Sequence, residues 1–132
     1  MLLGDVINQI VAVVKERNDV PFPSYNFRVI DIKELEGGVL AIQYESVFDY
    51  GNAGKIVIVG EIYDRVDEEK FKRTDILNSW RDFKKLPNEY LSFIITYANW
   101  ISTVHATVIC QSIRFRPPVL PISFKMASDQ QK

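Results

Sequence analysis

Residues 88–112 read NEYLSFIITYANWISTVHATVICQS, and this stretch decides the fold class. It contains neither proline nor glycine, and Pro87 stands just before it, where a fixed φ favours entry into a helix. Its apolar residues recur at helical spacing, and added aromatic residues widen the stripe to most of the circumference. At 1.5 Å per residue the helix is roughly 37 Å long. Such a helix must be covered on two sides, which predicts a partner as well as a sheet.

Three strands are predicted before this helix, at residues 27–35, 39–50 and 55–65. Gly37 and Gly38 join the first two, because a glycine pair adopts the positive φ values of a tight hairpin turn. A second turn is predicted at residues 51–54. The third strand carries Ile and Val on both faces, so both of its faces are expected to be buried.

The N-terminal segment, residues 3–17, is predicted to be a helix. Its C-terminal Lys15 and Arg17 suit the negative end of a helix dipole. Pro21 and Pro23 then stop the helix and impose an extended link. We expect the helix to cover the second face of the sheet. Its apolar residues, spaced by three and four, are Leu3, Val6, Ile7, Ile10, Val11, Val13 and Val14.

The remaining segments complete an α+β prediction. Residues 66–86 are predicted to form one or two short helices, with Asp67 as a cap. Residues 116–124 contain three prolines and are expected to lie extended on the body. The whole is one domain, residues 1–126, with an antiparallel sheet of three to four strands and a flexible tail at 127–132.

Bulk composition limits the partners. A chain of 132 residues fits one domain with a proper core, and 47% hydrophobic residues exclude general disorder. The formal charge of −1 gives no field to attract nucleic acid. A single cysteine, Cys110, suits the cytoplasm, and no signal peptide or run of 18 apolar residues predicts export or membrane insertion.

Catalytic and metal motifs are weak in this sequence. Residues 51–55, GNAGK, resemble a phosphate loop only superficially, because a strand rather than a helix follows. His105 is the one histidine and has no nucleophile or metal-ligand spacing beside it. The acidic run 67–69 suits the start of a helix. We therefore predict no enzyme, no cofactor and no metal.

Aromatic residues are abundant: eight Phe, six Tyr and two Trp. Most are expected in the core and at an interface between subunits. Some lie at strand ends or in the mixed region, where they are candidates for an apolar peptide groove: Phe48, Tyr50, Tyr63, Phe71, Trp80 and Phe83. Candidates for an oligomer interface on the long helix are Tyr97, Trp100, Ile101, Val104 and Val108.

The order of these segments resembles the SecB family of export chaperones. The similarity covers residues 26–124 and rests on the strand IVGEIY at 58–63, the LPN sequence at 86–88, the long helix, and the closing PPVLPISF at 117–124. The closing segment is the distinctive part. The resemblance implies a dimer or a dimer of dimers, no cofactor, and apolar grooves that hold non-native or specific client polypeptides without ATP.

The chain also departs from that family. SecB-like proteins usually have four strands, whereas three are clear here. The Pro-Tyr-x-Arg sequence of their main helix would fall near residues 99–102, where proline and arginine are absent, and Ser123 replaces an asparagine. The strongly acidic character of the bacterial chaperones is missing. The resemblance therefore does not identify SecA as a partner.

Two other functions fit the same pattern. A structural subunit would use every apolar face in assembly and bind no client. A hot-dog-type acyl-binding protein or enzyme would wrap a sheet around a long helix, but there the main helix precedes most strands. It would also place a carboxylate on that helix, and residues 88–112 offer only Glu89 at their start.

Overall fold

A computed structural model describes residues 1–118 of the protein. The described chain forms four long strands, followed by a short and a long helix. The α+β class is therefore confirmed. The predicted tail at 127–132 and most of the proline-rich segment 116–124 lie outside the described residues. The elements are β1 (Leu2–Val14), β2 (Ser24–Leu35), β3 (Val39–Asp49), β4 (Gly54–Arg65), α1 (Arg73–Phe83) and α2 (Asn88–Ile113).

The four strands form one antiparallel sheet in the order β1-β4-β3-β2. Both predicted hairpin turns are present: Gly37 and Gly38 have φ of 76° and 74°, and Gly51 has φ of 64°. The connection from β1 to β2 carries the chain from one edge of the sheet to the other. Pro21 and Pro23 lie in this connection and keep it extended.

The helix α2 packs on one face of the sheet, which we call the inner face. Alternate residues of β3 and β4 point toward it and are fully buried, such as Ile42 and Ile62. One core cluster lies beneath the first half of α2 and includes Ile94. A second lies beneath its other half and includes Ala106 and Cys110. The long helix predicted at 88–112 thus takes its expected place and length.

The prediction of an N-terminal helix is wrong, because residues 2–14 form the edge strand β1. Two bulges interrupt the pairing of β1 with β4, between Leu2 and Gly4 and between Ile7 and Gln9. Each bulge adds a residue, so the side chains at 7 and 10 both face inward although they are three positions apart. A bulged strand therefore imitates helical spacing, and the many Val and Ile residues favour the strand.

The second face of the sheet is consequently not covered by an N-terminal helix. On this outer face Val57, Val59 and Tyr63 of β4 are half-buried, and no helix of the described residues packs on them. The missing fourth strand and the misassigned helix are one and the same segment. β1 widens the sheet instead of covering it.

The close pairing of β1 and β4 depends on Gly54. This residue has φ of 141°, and a Cβ built on it would lie 1.9 Å from the carbonyl oxygen of Val13. No side chain fits there without separating the two strands. Gly37 also has positive φ, but a Cβ on it would meet nothing within 4 Å.

We expect Gly54→Ala to lower the free energy of unfolding by more than about 3 kcal/mol, since it combines backbone strain with a clash against main chain. Gly37→Ala is the matched control and should cost about 1 kcal/mol, from the positive φ alone. Urea unfolding followed by circular dichroism measures both. Equal effects of the two substitutions would contradict the close β1–β4 approach.

Candidate functional site

An apolar groove of about 400 Å³ lies at the β2 edge of the sheet, between β2, the end of α1 and the first turns of α2. We call it the Trp80 groove. Phe27 and Val29 of β2 form one wall, and Trp80 of α1 forms another. Its volume falls within the range of ligand-binding pockets. The remaining apolar lining comes from Leu86, Leu91 and Ile95.

The strand beside this groove has a free edge. β2 is the last strand in the order β1-β4-β3-β2, so one side of its backbone has no partner strand among the described residues. Phe27 and Val29 are separated by one residue and therefore face the same side of the strand. Free backbone groups beside alternating apolar positions are what an extended polypeptide requires for binding.

The rim of the groove is positively charged. Lys84 and Lys85 are both exposed, and the Lys84 ammonium lies 5.4 Å from the centre of the Trp80 ring. Arg28 also lines the groove, but its Nε atom donates to Glu45 at 2.9 Å, so its charge is already balanced. Lys84 and Lys85 form no ion pair within residues 1–118, so they favour a ligand that carries carboxylates beside its apolar residues.

Lys84 owes its position to the end of α1. It adopts the left-handed conformation with φ of 55° and its amide donates to the Trp80 carbonyl, which closes the helix. The Ser79 hydroxyl donates to the Lys85 carbonyl at 2.7 Å and holds the following turn. The two lysines are thus presented by a well-ordered turn.

A second apolar surface lies at the opposite edge of the sheet. The Tyr97 hydroxyl donates to Asp5 at 3.4 Å, which places this side of α2 beside β1. The apolar residues here remain strongly exposed. We call the inner-facing residues the β1–α2 surface, with exposed fractions of 37% for Ile10, 49% for Trp100, 47% for Val104 and 60% for Val108. Val6 and Val11 are also exposed, but they pair with Glu61 and Val57 and therefore lie on the outer face of the sheet.

A line of hydroxyl groups fixes α2 on the sheet between the two core clusters. Ser46 of β3 is fully buried, and its hydroxyl lies 2.9 Å from that of Ser102 on α2 and 2.7 Å from that of Tyr25 on β2. Tyr44 is buried nearby, and its hydroxyl has no hydrogen-bond partner among the described residues. Burial raises the pKa of Tyr44 to about 12.

The structure separates the predicted groove residues. Phe48 and Tyr50 are buried in the core, with exposed fractions of 2% and 0%. Tyr63 lies on the outer face and donates to Glu61, while Phe71 lines a different pocket. Phe83 is 72% exposed and lies beside a separate depression. Of these candidates, only Trp80 lines the groove described above.

Most of the groove lining was missed in the sequence because it comes from three elements whose juxtaposition is set by the sheet order. The alternation of Phe27 and Val29 at the start of β2 was the available signal. Among the predicted interface residues, Trp100, Val104 and Val108 are exposed, Tyr97 contacts Asp5, and Ile101 is 8% exposed and belongs to the chain's own core.

The described residues contain no group of three or more His, Cys, Asp or Glu side chains that could hold a metal ion. Cys110 is buried, and burial raises the pKa of its thiol. The helix α2 is long and apolar enough to cross a membrane by length and composition, a test that core helices also pass.

Comparisons of the chain with protein-family models, with curated proteins and with solved structures find no match. The two apolar surfaces and their charges are therefore the features from which a function can be inferred.

The buried Tyr44 hydroxyl predicts a loss of stability in alkali. In the unfolded chain a tyrosine ionises near its ordinary value, about pH 10. In the folded chain the pKa is about 12, so the contribution of Tyr44 is complete below pH 10 and declines as the pH rises toward 12. Between pH 8 and pH 11 the free energy of unfolding of the wild type should fall by about 1 kcal/mol more than that of Tyr44→Phe.

Urea unfolding at the two pH values measures this difference. Tyr63→Phe is the comparison, because donation to Glu61 on the outer face, more than burial, raises the pKa of Tyr63. It should reduce the alkaline loss less than Tyr44→Phe does. An equal alkaline loss in the wild type and in Tyr44→Phe would show that the Tyr44 hydroxyl is not desolvated.

Proposed function

We propose that the protein is an ATP-independent, chaperone-like binding protein that holds extended apolar segments of client polypeptides in the Trp80 groove. The observation that carries the proposal is the position of this apolar groove beside the free edge of β2. The backbone of a client can pair with β2 while alternate side chains enter the groove. This mode does not depend on the identity of the client, because the main chain supplies much of the contact.

The resemblance to SecB-like chaperones supports the same proposal from the sequence. Its main structural departure was the missing fourth strand, and β1 supplies a fourth strand in an antiparallel sheet. The order of four strands, a short helix and a long helix is compatible with that resemblance. We do not extend it to SecA or to export.

We further propose that the protein assembles with copies of itself through the β1–α2 surface. Charged residues on an edge strand oppose pairing with another chain. In β2 the charges of Asp31, Lys33 and Glu34 oppose pairing beyond Val29, while residues 24–29 beside the groove carry only Arg28, which is paired with Glu45. β1 carries only Asp5 in 13 residues. β1 is therefore the edge suited to self-association.

The distribution of charge on β1 also suits a two-fold pairing with its own copy. An antiparallel pair centred near Asn8 places the two Asp5 residues toward opposite ends of the pair, so their charges are kept apart. Trp100, Val104 and Val108 then add an apolar face beside the paired strands. This assembly covers one edge of the sheet and leaves the Trp80 groove at the other edge open.

We expect the wild type to suppress the aggregation of a chemically unfolded model protein without ATP, at stoichiometric or lower amounts. Trp80→Ala should weaken binding of an unfolded client by about tenfold or more, as loss of a central aromatic contact does. Fluorescence anisotropy with a labelled unfolded client measures the affinity, and turbidity measures the protection. Circular dichroism checks that the variant is folded.

Phe22→Ala is the matched control, because Phe22 is 52% exposed and lies outside the groove in the β1–β2 connection. It should bind the client as the wild type does. A well-folded wild type that gives no protection would overturn the chaperone proposal in favour of a structural subunit. Equal losses of client affinity in Trp80→Ala and Phe22→Ala would show that the client does not bind in the Trp80 groove.

We expect Trp100→Glu to dissociate the dimer or tetramer into monomers, because a carboxylate at the centre of the β1–α2 surface would be buried without a partner. Light scattering coupled to gel filtration measures the mass. Phe22→Glu introduces the same charge at an equally exposed aromatic position outside that surface and should leave the mass unchanged. A wild-type monomer, or a Trp100→Glu variant of unchanged mass, would refute this interface.

A further inference from the structure

A second pocket, also of about 400 Å³, lies at the end of β4 beside the start of β1 and the first turns of α2. Its defining residue is Asp64, which is only 2% exposed. The Tyr90 hydroxyl donates to Asp64 Oδ2 at 2.6 Å. The other oxygen, Oδ1, is buried and accepts no hydrogen bond from the described residues. A buried carboxylate with one unsatisfied oxygen calls for a cation.

The walls of this pocket are aromatic. Phe71 and Phe93 both line it, and their ring centres are 6.0 Å apart. Phe71 also packs edge-on against Tyr90 at 5.1 Å, next to the carboxylate. Aromatic rings attract cations to their faces and pack well against a methylene chain. A positive group on a short apolar stem therefore matches both the bottom and the walls.

A primary ammonium already reaches the carboxylate. The Met1 ammonium lies 3.1 Å from Asp64 Oδ1, although it is not aligned to donate a hydrogen bond to it. It donates instead to the Arg65 carbonyl. Met1 is 65% exposed, and its main chain pairs with Arg65 in both directions, since its ammonium donates to the Arg65 carbonyl and its carbonyl accepts from the Arg65 amide at 2.9 Å. Because Met1 lies at the end of the edge strand, a ligand that takes its place at Asp64 has to break these two hydrogen bonds. The contact shows that an ammonium group can approach Asp64.

Two other charged residues line the pocket, one acidic and one basic. Asp67 and Lys70 both line it, and the Asp67 side chain accepts from the Glu69 amide at 3.1 Å within its own turn. When the Met1 ammonium moves aside, the charge of Asp64 is no longer balanced and the pocket carries a net negative charge. The pocket then favours a cation over a neutral or anionic ligand.

We propose that the Asp64 pocket is a binding site for a primary ammonium group on an aliphatic stem, of the kind a lysine side chain presents. The ammonium pairs with Asp64, and the stem packs against the rings of Phe71 and Phe93. This site is separate from the Trp80 groove, so it stands or falls independently of the client-binding proposal.

The test is an NMR titration of the full chain with Nα-acetyl-lysine methylamide, followed through the ring signals of Phe71 and Phe93. The neutral analogue with an acetylated Nε atom is the ligand control. We expect saturable shifts with the charged compound and none with the neutral one. A lysine placed in a longer apolar peptide should bind more tightly than the free compound if a polypeptide is the source of the ammonium.

Asp64→Asn should weaken binding by about tenfold or more, since it removes one member of a buried charge pair. Asp82→Asn makes the same change at a partly exposed position that is paired with Arg81, outside the pocket, and should leave the affinity unchanged. Phe71→Leu keeps the carboxylate and should also weaken binding. It allows the proposal to be tested even if Asp64→Asn folds poorly.

Acetylation of the Met1 amino group provides an independent measurement. It removes the competing ammonium, so the probe should bind several-fold more tightly to the acetylated protein. Equal binding of the charged and neutral compounds, or an affinity that neither Asp64→Asn nor Phe71→Leu alters, would overturn the proposal. The role of Asp64 would then be confined to holding Met1 and Tyr90.

Discussion

The packing of α2 on the inner face of the sheet is the constraint on which the rest of the structure depends. The helix buries Ile94 and Ala98 over one core cluster and Ala106 and Cys110 over the other. Each large apolar side chain that is fully buried contributes roughly 2 kcal/mol. Between the clusters, the Ser102 hydroxyl contacts Ser46, so the helix has one register in which its buried polar group is satisfied. This register sets the position of every exposed residue on its other side.

Neither edge strand of the sheet has a second partner strand among the described residues, but the two edges differ chemically. The β2 edge is charged and adjoins a groove closed by α1. The β1 edge is almost uncharged and adjoins the exposed side of α2. Charges on an edge strand oppose pairing with any chain, so the almost uncharged β1 suits a permanent partner, whereas β2 is suited to pairing along residues 24–29, beside the groove. The sheet order therefore separates the surface proposed for assembly from the groove proposed for clients.

The sequence predicted the parts of the fold that follow from local rules. The long helix, the glycine turns at residues 37 and 51, and the three later strands follow from periodicity and turn chemistry. β1 was missed because its bulges bring Ile7 and Ile10 to one face three residues apart. A bulge is decided by pairing with β4, which no local pattern reports. Apolar periodicity identifies a regular strand and fails for a bulged one.

The candidate sites were less predictable for the same reason. Phe48 and Tyr50 stand at a strand end, where exposure is a reasonable expectation, yet the second half of α2 covers them. Trp80 lines a groove only because α1 ends beside β2. Lys84 reaches the Trp80 ring because Lys84 itself adopts the left-handed conformation that closes α1. Asp64 continues a strand of alternating apolar residues, and its sequence context does not distinguish a buried carboxylate from an exposed one. Its burial follows from the combined positions of Met1 and Tyr90, which belong to elements 26 or more residues away. Sites assembled from distant elements depend on sheet order and helix register, and these two quantities are properties of the whole fold.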